Sequence, residues 1–581
     1  MIRTIRRCRD EARVPLLVDT LTFRMTAAEP RSYDHVIVGA GSAGSVLAER
    51  LGANPDARVL VLEAGGSDAS FWIHLPVGYF RSIYDTRVSR LFRTEPEEGT
   101  AGRRIDWPRG RVVGGSSSIN GLVFIRGQQE DFNDWAKAGA EGWGWSDVLP
   151  HFRRIERYGG EPSQLRGGDG ALGVSDLRND HPLCDAWVRA GTEAGLPTNA
   201  DFNGESTLGV GAYQLSLEGR WRASAAKAFL RPALGRGNVD LVTHASAEEL
   251  LFDAERCIGV RWRRHGEVRE TYAEAGVILS AGAIQSPQLL QLSGIGPADS
   301  LRALGIPVRA DLPGVGGNLQ DHYQMRTIVE LAARESFNDE VRNPLKLVRM
   351  GLRWLVDGSG PLSVGAGQVG GAACTSLAED GRPDVQFNVM PLSVDKPGKP
   401  LHRYSGFTAA VWQCHPRSRG RVDVVSRDPA ADPRIVPNYL SDPHDRQTMI
   451  EGVRLLRDIY RQPAFRDRWT REVVPGAEHE SDAELLDAIR RMGGTVYHCV
   501  GTCRMGAADD PDAVVDPSLR VRGINGLHVI DASVMPTIVS ANTNAATLMI
   551  ADRGAELLNG STSLHPPLAR ASSIGAAATP S

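Results

Sequence analysis

The chain has 581 residues, and its 66 Lys and Arg against 70 Asp and Glu leave a formal net charge of -4 at pH 7. So small a net charge gives no indication of a nucleic-acid partner. Hydrophobic residues make up 41% and charged residues 23% of the chain, which excludes a disordered or fibrous protein. The seven cysteines are an odd number in a long chain, so a secreted disulfide framework is not indicated.

The N-terminal segment leaves two interpretations open. Five arginines between Arg3 and Arg13 precede the apolar stretch Val14–Val18, as in a targeting peptide, but acidic residues interrupt them. The apolar stretch is also shorter than the about 7–15 residues of a secretory core. Alternatively Met25 is the biological start, because patterned sequence begins only near Tyr33. We expect residues 1–32 and the Ser-, Ala- and Pro-rich residues 559–581 to be disordered.

A nucleotide-binding unit is predicted where the patterned sequence begins. The apolar strand Asp34–Val38 is followed by Gly39–Gly44, which reads GxGxxG, then by a helix over Ser45–Leu51 and a strand over Arg58–Leu62. The glycines allow a tight turn, close approach to a pyrophosphate and close helix–strand packing. Glu63 follows the last glycine by 19 residues, where a carboxylate can accept hydrogen bonds from ribose hydroxyls. The motif does not choose between NAD and FAD, but its place at the start of the patterned region favours FAD.

Three later segments are typical of the same kind of domain. Arg111–Asn120 is rich in Gly and Ser, as a loop around a cofactor would be. The strand Val277–Leu279 leads to a helix predicted to start at Pro287, since proline is favoured at the first helical position. Near the C-terminus, the strand Gly526–Asp531 precedes a helix predicted over Ala545–Leu558. The predicted fold class is therefore α/β.

Four blocks of sequence resemble the glucose-methanol-choline (GMC) oxidoreductase family, and most closely its choline dehydrogenase-like branch of FAD-dependent alcohol dehydrogenases. The resemblance covers nearly everything from Tyr33 to about Leu558, and the order of the blocks is that of the family. The blocks are Gly39–Gly44 with Glu63, Trp107–Gly121, Gly282–Gly296, and the C-terminal pair Tyr497–Gly506 and Asp531–Asn544.

This resemblance implies a Rossmann-like FAD-binding domain built from discontinuous segments and a second, α+β substrate-binding domain whose sheet covers the flavin. We assign residues 33–70, 100–160, 235–330 and 490–558 to the first domain. Residues 71–99, 161–234 and 331–489 are assigned to the second.

The resemblance also implies the cofactor contacts. Some members of the family attach the flavin through a histidine in the glycine-rich loop, but Ile119 occupies that position here, so noncovalent FAD is predicted. No metal is expected, because His498, Cys499 and Cys503 lack a second Cys/His pair at ligand spacing. The predicted FAD-binding residues are Gly39, Gly41, Ser42, Ala43, Gly44, Glu63, Ala64, Arg109, Val113, Gly114, Gly115, Ser116, Asn120, Gly121, Val123, Ala281, Asp531, Ala532 and Asn542.

Alcohol oxidation needs a group that takes the hydroxyl proton while the flavin takes the hydride. A histidine suits this task because its ordinary pKa of about 6.5 leaves it mostly neutral at neutral pH. By resemblance His498 is the catalytic base and Asn544 its partner. Asn542 remains the alternative partner, and Tyr497 is expected to line the substrate pocket.

The predicted reaction is oxidation of an uncharged primary alcohol to its aldehyde. In many relatives an acidic residue precedes the glycine pair of a substrate-domain loop, whereas this chain has Gln368-Val369-Gly370-Gly371, which puts choline in doubt. The alternatives are a flavin-containing hydroxynitrile lyase, a choline dehydrogenase, an alcohol oxidase that uses oxygen, and a noncatalytic flavin-binding protein.

The electron acceptor is left open between a quinone, an artificial acceptor and oxygen, with an acceptor other than oxygen favoured. No apolar run in the sequence approaches the roughly 18–20 residues of a membrane span. We therefore expect a cytoplasmic protein with no transmembrane segment, with peripheral membrane association as the alternative.

Overall fold

A computed structural model describes residues 32–161 and 163–562. The expectations of a disordered N-terminal extension and of a start at Met25 lie outside these residues, apart from Ser32. Of the expected disordered tail, residues 559–562 belong to a helix instead, and the rest lies outside the described residues. The described chain forms two seven-stranded sheets with helices packed around them. This arrangement confirms the α/β fold class with two sheet-containing domains.

The first sheet contains the predicted nucleotide-binding unit. Its parallel strands in spatial order are Val239–Thr243, Val59–Glu63, Ser32–Val38, Glu267–Leu279 and Leu527–Val529. Arg256–Arg264 and Ser246–Asp253 extend it as antiparallel strands beyond Glu267–Leu279. The parallel strands all end at one edge, which is where open α/β sheets bind their ligands.

The second sheet is antiparallel and is assembled from distant parts of the chain. Its order is Trp469–Val474, Tyr323–Leu331, Gly406–Gln413, Val385–Met390, Val369–Ala373 and Gly209–Ala212, and Gly494–Thr495 also pairs with Tyr323–Leu331. Residues 323–330 and 494–495, which the sequence assigned to the FAD-binding domain, therefore lie in the sheet of the other domain. The boundary drawn at residue 330 falls inside a strand.

The longer helices surround the two sheets, except Pro344–Asp357, which lies at the surface. They are Ser42–Leu51, Gln129–Lys137, Trp145–Ile155, Pro182–Glu193, Gly282–Leu292, Pro344–Asp357, Pro443–Tyr460, Asp482–Met492 and Thr543–Thr562. Short helices are Phe71–His74, Tyr79–Ser82, Arg231–Leu234, Ala298–Ala303, Phe337–Glu340 and Pro463–Arg466. Two-stranded ribbons join Ser89–Arg93 to Asp106–Gly110, Glu156–Tyr158 to Leu172–Val174, Leu217–Glu218 to Trp221–Arg222, Ile295–Gly296 to Ala310–Asp311, and Arg421–Asp423 to Arg434–Val436.

The helix predicted to start at Pro287 begins five residues earlier, so that prediction was wrong. A proline inside a helix has no N–H to donate to the carbonyl four residues before it, here that of Ala283. In this fold the Thr502 hydroxyl donates to the Ala283 oxygen at 2.7 Å, which satisfies the carbonyl that Pro287 leaves without a partner. The proline is thus tolerated because a distant segment supplies the missing donor.

Each sheet has its own apolar core. Strands Ser32–Val38 and Val59–Glu63 are almost fully buried because helices cover both faces of the parallel sheet. The helix Ser42–Leu51 packs against the C-terminal helix Thr543–Thr562, which brings the two ends of the described chain together. The six cysteines in the described residues are free thiols. No helix in this part of the chain is both long and apolar enough to span a membrane.

Candidate active site

A cavity of about 1120 Å³ lies between the carboxyl edge of the first sheet and one face of the second. Residues at the strand ends, such as Val38, Glu63 and Ser280, form one wall, and Gln324, Asn388 and Trp412 of the second sheet line the other. Ligand sites usually measure roughly 300–1,000 Å³. The cavity therefore has room for a large cofactor together with a small substrate.

The glycines of the first turn fit the three roles predicted for them. A Cβ on Gly39 would come within 2.5 Å of the Ser280 oxygen, and one on Gly44 within 1.9 Å of the Gly39 oxygen. These two positions therefore need glycine for the packing of the chain itself. A Cβ on Gly41 would meet no protein atom closer than 4.0 Å, and Gly41 lines the cavity. The open space beside Gly41 is thus available to a bound cofactor.

Glu63 ends its strand with both carboxylate oxygens held by backbone groups. The amides of Gly65 and Ala40 donate to Oε1 and Oε2 at 2.7 and 3.0 Å. Burial raises the pKa of Glu63 to about 7, although these two donors oppose the rise. Each carboxylate oxygen has a second lone pair and the residue lines the cavity, so Glu63 would be available to accept a hydroxyl of a bound ribose.

The glycine-rich loop lies against the first turn. The Gly114 amide donates to the Ala40 oxygen at 2.8 Å, and a Cβ on Gly115 would come within 2.7 Å of the Gly41 Cα. The side-chain oxygen of Asn120 accepts from Nη1 of the buried Arg222 at 2.6 Å. This hydrogen bond fixes the Asn120 side chain at the cavity wall.

Asp531 accepts hydrogen bonds at the start of the helix Gly282–Leu292 and lines the cavity. Its Oδ2 accepts from the Gly282 amide at 2.8 Å and the Ser286 hydroxyl at 2.6 Å, while its Oδ1 accepts from the Ser533 amide at 2.8 Å. Gly282, like Gly41, lines the cavity with no protein atom within 4 Å of an added Cβ.

Most of the predicted cofactor residues line this one cavity. Gly44, Val113 and Gly114 do not, because they pack behind its wall. The predicted residues on the wall are Gly39, Gly41, Ser42, Ala43, Glu63, Ala64, Arg109, Gly115, Ser116, Asn120, Gly121, Val123, Ala281, Asp531, Ala532 and Asn542.

Arg109 supplies a positive charge to the same cavity. Its Nη1 donates to the backbone oxygen of Tyr497 at 2.8 Å. Its Nε and Nη2 are buried and have no hydrogen-bond partner within the described residues. A buried guanidinium with free donors fits an anionic or carbonyl-rich ligand. The open glycines, the oriented carboxylate and this guanidinium together suit FAD. Gly41, Glu63, Arg109, Asn120 and Gly282 are the residues that would hold it.

His498 lies between a second histidine and an asparagine. Its Nδ1 lies 2.9 Å from Nδ1 of His322, and its Nε2 lies 3.1 Å from Nδ2 of Asn542. The His498 backbone amide donates to Asp321 at 2.7 Å, which fixes the main chain there. His498 is buried but lines the cavity, so its ring faces the space for a substrate.

The structure corrects the expected partner of His498. Asn542 contacts the histidine ring, whereas the Asn544 side-chain oxygen accepts from the Ser42 hydroxyl at 2.7 Å. The reason is the helix start, which lies at Thr543 and not at Ala545 as predicted. Asn542 therefore precedes the helix and reaches the histidine, while Asn544 is already part of the first turn and faces the glycine motif.

The second histidine, His322, decides the proton positions on both rings. Its Nε2 lies 3.1 Å from the Cys414 carbonyl oxygen, which can only accept, so His322 carries its proton on Nε2. In a neutral His322 the Nδ1 must then accept from His498 Nδ1–H. His498 is left with an unprotonated Nε2, toward which the Asn542 amide group donates.

Both rings are held in the neutral state. Burial, the neighbouring His322 and Arg109 lower the pKa of His498 well below its ordinary value. Burial lowers the pKa of His322 to about 4. The arrangement therefore presents a proton acceptor, Nε2 of His498, at the cavity wall.

Tyr497 lines the cavity beside His498, as the sequence predicted, and its hydroxyl lies 2.9 Å from that of Tyr84. Four residues of the site were not predicted from the sequence. Tyr84 and Arg326 line the cavity, and Asp321 and His322 contact His498. The adjacent pair Asp321-His322 was the available signal for two of them, but contact with His498 depends on chain folding across 176 residues.

Comparison with known proteins agrees with this architecture. The GMC oxidoreductase family matches residues 33–324 with its N-terminal part and residues 416–551 with its C-terminal part. The chain belongs to the GMC oxidoreductase family, which confirms the resemblance predicted from its four sequence blocks.

Named relatives cover most of the chain. It is 42% identical to an alcohol dehydrogenase [acceptor] of Pseudomonas putida, over 90% of this chain and 95% of the relative. It is 40% identical to the mitochondrial choline dehydrogenase of Homo sapiens, over 92% and 90% of the two chains. Among solved structures, pyridoxine 4-oxidase from Mesorbium loti superposes with a TM-score of 0.81 at 31% identity, covering 91% of this chain and 99% of that one.

The two glycine roles make a paired prediction. Gly41→Val adds its side chain to the open cavity, so we expect a folded protein that has lost its bound flavin. Gly44→Val would drive Cβ into the Gly39 carbonyl and should lower stability by several kcal/mol, on the order of other overpacked core sites. Flavin absorbance per protein and the thermal unfolding midpoint measure the two effects. A Gly41→Val protein that retains stoichiometric flavin would contradict the proposed cradle.

Proposed function

We propose that the protein oxidises an uncharged primary alcohol to the aldehyde, with noncovalent FAD as its cofactor and His498 as the group that takes the hydroxyl proton. The observation that carries this proposal is the hydrogen-bonded series from the Cys414 carbonyl through His322 to His498, which leaves Nε2 of His498 as a proton acceptor at the wall of a cavity lined by the glycine motif. The names of the relatives, an alcohol dehydrogenase and choline dehydrogenases, favour alcohol oxidation over the lyase alternative.

FAD, when bound, supplies the acceptor for the hydride that leaves the alcohol carbon. The residues of the chain handle the other half of the chemistry. As the O–H bond breaks, its proton passes to Nε2 of His498, and the Nδ1–H of the resulting imidazolium remains bound to His322. Asn542 can turn its N–H from the ring to the substrate oxygen, where it stabilises the developing negative charge.

Noncovalent attachment is consistent with the residue at the position where some relatives carry a histidine. Ile119 is buried and lines the cavity, and an aliphatic side chain has no atom that could form a bond to the flavin.

The face of the second sheet argues for a substrate without positive charge. Arg326, Ala410 and Asn388 occupy one row across three strands, and all three line the cavity. Arg326 donates from Nη1 to the Asp395 backbone oxygen at 3.0 Å, while its Nη2 has no partner among the described residues. The nearby Asp395 carboxylate is engaged by His402 at 2.9 Å. This cation would repel the trimethylammonium group of choline.

We propose an electron acceptor other than oxygen. The relative from Pseudomonas putida, an alcohol dehydrogenase [acceptor], is named for a separate acceptor.

The catalytic assignment predicts different outcomes for the two asparagines. Asn542→Ala should lower kcat/KM for alcohol-driven flavin reduction by about 100-fold, the size of losing one donor to a developing oxyanion. Asn544→Ala removes a hydrogen bond to Ser42 and should change the same constant by less than about tenfold. Anaerobic stopped-flow reduction of the flavin by a primary alcohol gives both constants. Equal losses in the two variants would contradict the assignment of Asn542.

The charge of the pocket predicts a change in substrate preference. Arg326→Met retains the length of the side chain but removes its charge, so kcat/KM for choline relative to a neutral primary alcohol should rise by about tenfold or more. Arg326→Lys keeps the charge and is the matched control, with a ratio close to that of the unmodified protein. Steady-state rates with a soluble dye as acceptor measure the ratio. A ratio that stays the same in Arg326→Met would remove Arg326 as the cause of discrimination against choline.

A further inference from the structure

The helix Pro344–Asp357 lies on the protein with an apolar side turned to solvent. Of its 14 residues, only Met350 and Trp354 are buried. Leu345 is 81% exposed, Val356 80% and Val348 61%. Large apolar side chains this exposed on one element are unusual in a soluble protein and mark an interaction site.

Five of the six exposed apolar residues form one stripe along the helix, and the sixth, Leu347, lies on the side of Trp354. Leu345, Val348, Leu352, Leu355 and Val356 are spaced by three, seven, ten and eleven residues from the first, which places them on one side of an α-helix. Met350 and Trp354, one helical turn apart, hold the opposite side against the protein. The stripe therefore faces outward along the whole length of the helix.

Basic residues border this stripe on one side. Lys346, Arg349 and Arg353 are all exposed and lie next to it on the helix, whereas the one acidic residue of the helix is Asp357 at its end. Lys346 lies 3.5 Å from Glu340 and Arg353 donates to the Ser359 hydroxyl at 2.7 Å, whereas Arg349 forms no salt bridge within the described chain. The helix thus offers an apolar stripe together with exposed positive charge.

Aromatic side chains extend the apolar surface beside the helix. Phe71 is 46% and Trp72 38% exposed, and the ring of Phe71 lies 6.3 Å from that of the buried Trp354. The Arg81 guanidinium lies over the Trp72 ring at 4.2 Å. Tryptophan beside arginine is the composition found where proteins meet the headgroup layer of a bilayer.

We propose that the helix Pro344–Asp357, with Phe71 and Trp72 beside it, docks the protein on the surface of a bilayer that contains anionic phospholipids. The apolar stripe enters the boundary between headgroups and acyl chains, while the basic side chains contact lipid phosphates. A second copy of the chain fits less well. A symmetric contact places the same patch on both sides, so two sets of the cations Lys346, Arg349 and Arg353 would be brought near each other.

Docking would also bring the cavity close to the membrane. From Trp72 the chain continues within a few residues to Tyr79 and Phe80, which line the cavity wall. A lipophilic acceptor dissolved in the bilayer would then have a short path to the cavity, a consequence that rests on the proposed function.

Vesicle binding of the flavin-loaded protein tests the proposal. We expect the protein to co-sediment with vesicles of phosphatidylcholine and phosphatidylglycerol, more strongly than with phosphatidylcholine alone and less strongly at high salt. The double substitution V348E/L352E should weaken this binding by at least about tenfold, because it places two charges in the apolar stripe. K346Q/R349Q should weaken binding to anionic vesicles but not to phosphatidylcholine.

The matched control is V268E/V425E, which adds two glutamates at valines that are 49% and 50% exposed elsewhere on the surface. This variant should bind vesicles as the unmodified protein does. The thermal unfolding midpoint and alcohol-driven flavin reduction with a soluble dye should be unchanged in every variant, because the substituted side chains are exposed and outside the cavity. These measurements distinguish a loss of vesicle binding from a loss of folding or of alcohol oxidation.

Three results would overturn the proposal. The first is absence of vesicle binding by the unmodified protein, and the second is equal binding by V348E/L352E. The third is a dimer in solution that V348E/L352E converts to monomers while vesicle binding persists, which would assign the helix to a second copy of the chain.

Discussion

The hydrogen bond between His322 and the Cys414 carbonyl sets the chemical state of the candidate active site. A backbone carbonyl can only accept, so it orients the whole series from Cys414 through His322 and His498 to Asn542. Neutral rings are required for this series, and burial provides them by lowering both pKa values. The result is a basic nitrogen at the cavity wall that needs no nearby carboxylate to define its tautomer.

The pairing of two strands in the second sheet brings His322 and Cys414 together. His322 immediately precedes the strand Tyr323–Leu331, and Cys414 immediately follows its neighbour Gly406–Gln413. His498 follows the strand Gly494–Thr495 of the second sheet, and Asn542 lies between the strand Leu527–Val529 of the first sheet and the C-terminal helix. The proton acceptor is therefore placed where the second sheet meets the cofactor cradle of the first. In the proposed reaction, such an arrangement would place proton removal beside hydride transfer.

The sequence predicted the features that depend on local patterning. The strand, glycine turn and second strand ending at Glu63 form within about thirty residues, and their periodicity and glycine spacing are visible without any long-range contact. The helix start at Gly282 was not predictable from Pro287, since the Thr502 hydroxyl that makes the proline tolerable lies 219 residues after Ala283, whose carbonyl it binds. The choice between Asn542 and Asn544 turned on a difference of two residues in a helix start. His322 gave no local signal of its contact with His498, which forms only when the second sheet is assembled.

His498 is proposed to act as a neutral base held by His322 and Asn542. The most direct test is the pH dependence of the anaerobic rate of flavin reduction by a saturating primary alcohol. Because the pKa of His498 is lowered, the unprotonated ring persists as pH falls, and the rate should stay level through pH 6.5 and decline only below it. A half-maximal rate at or above pH 6.5 would contradict the neutral histidine pair on which this account depends.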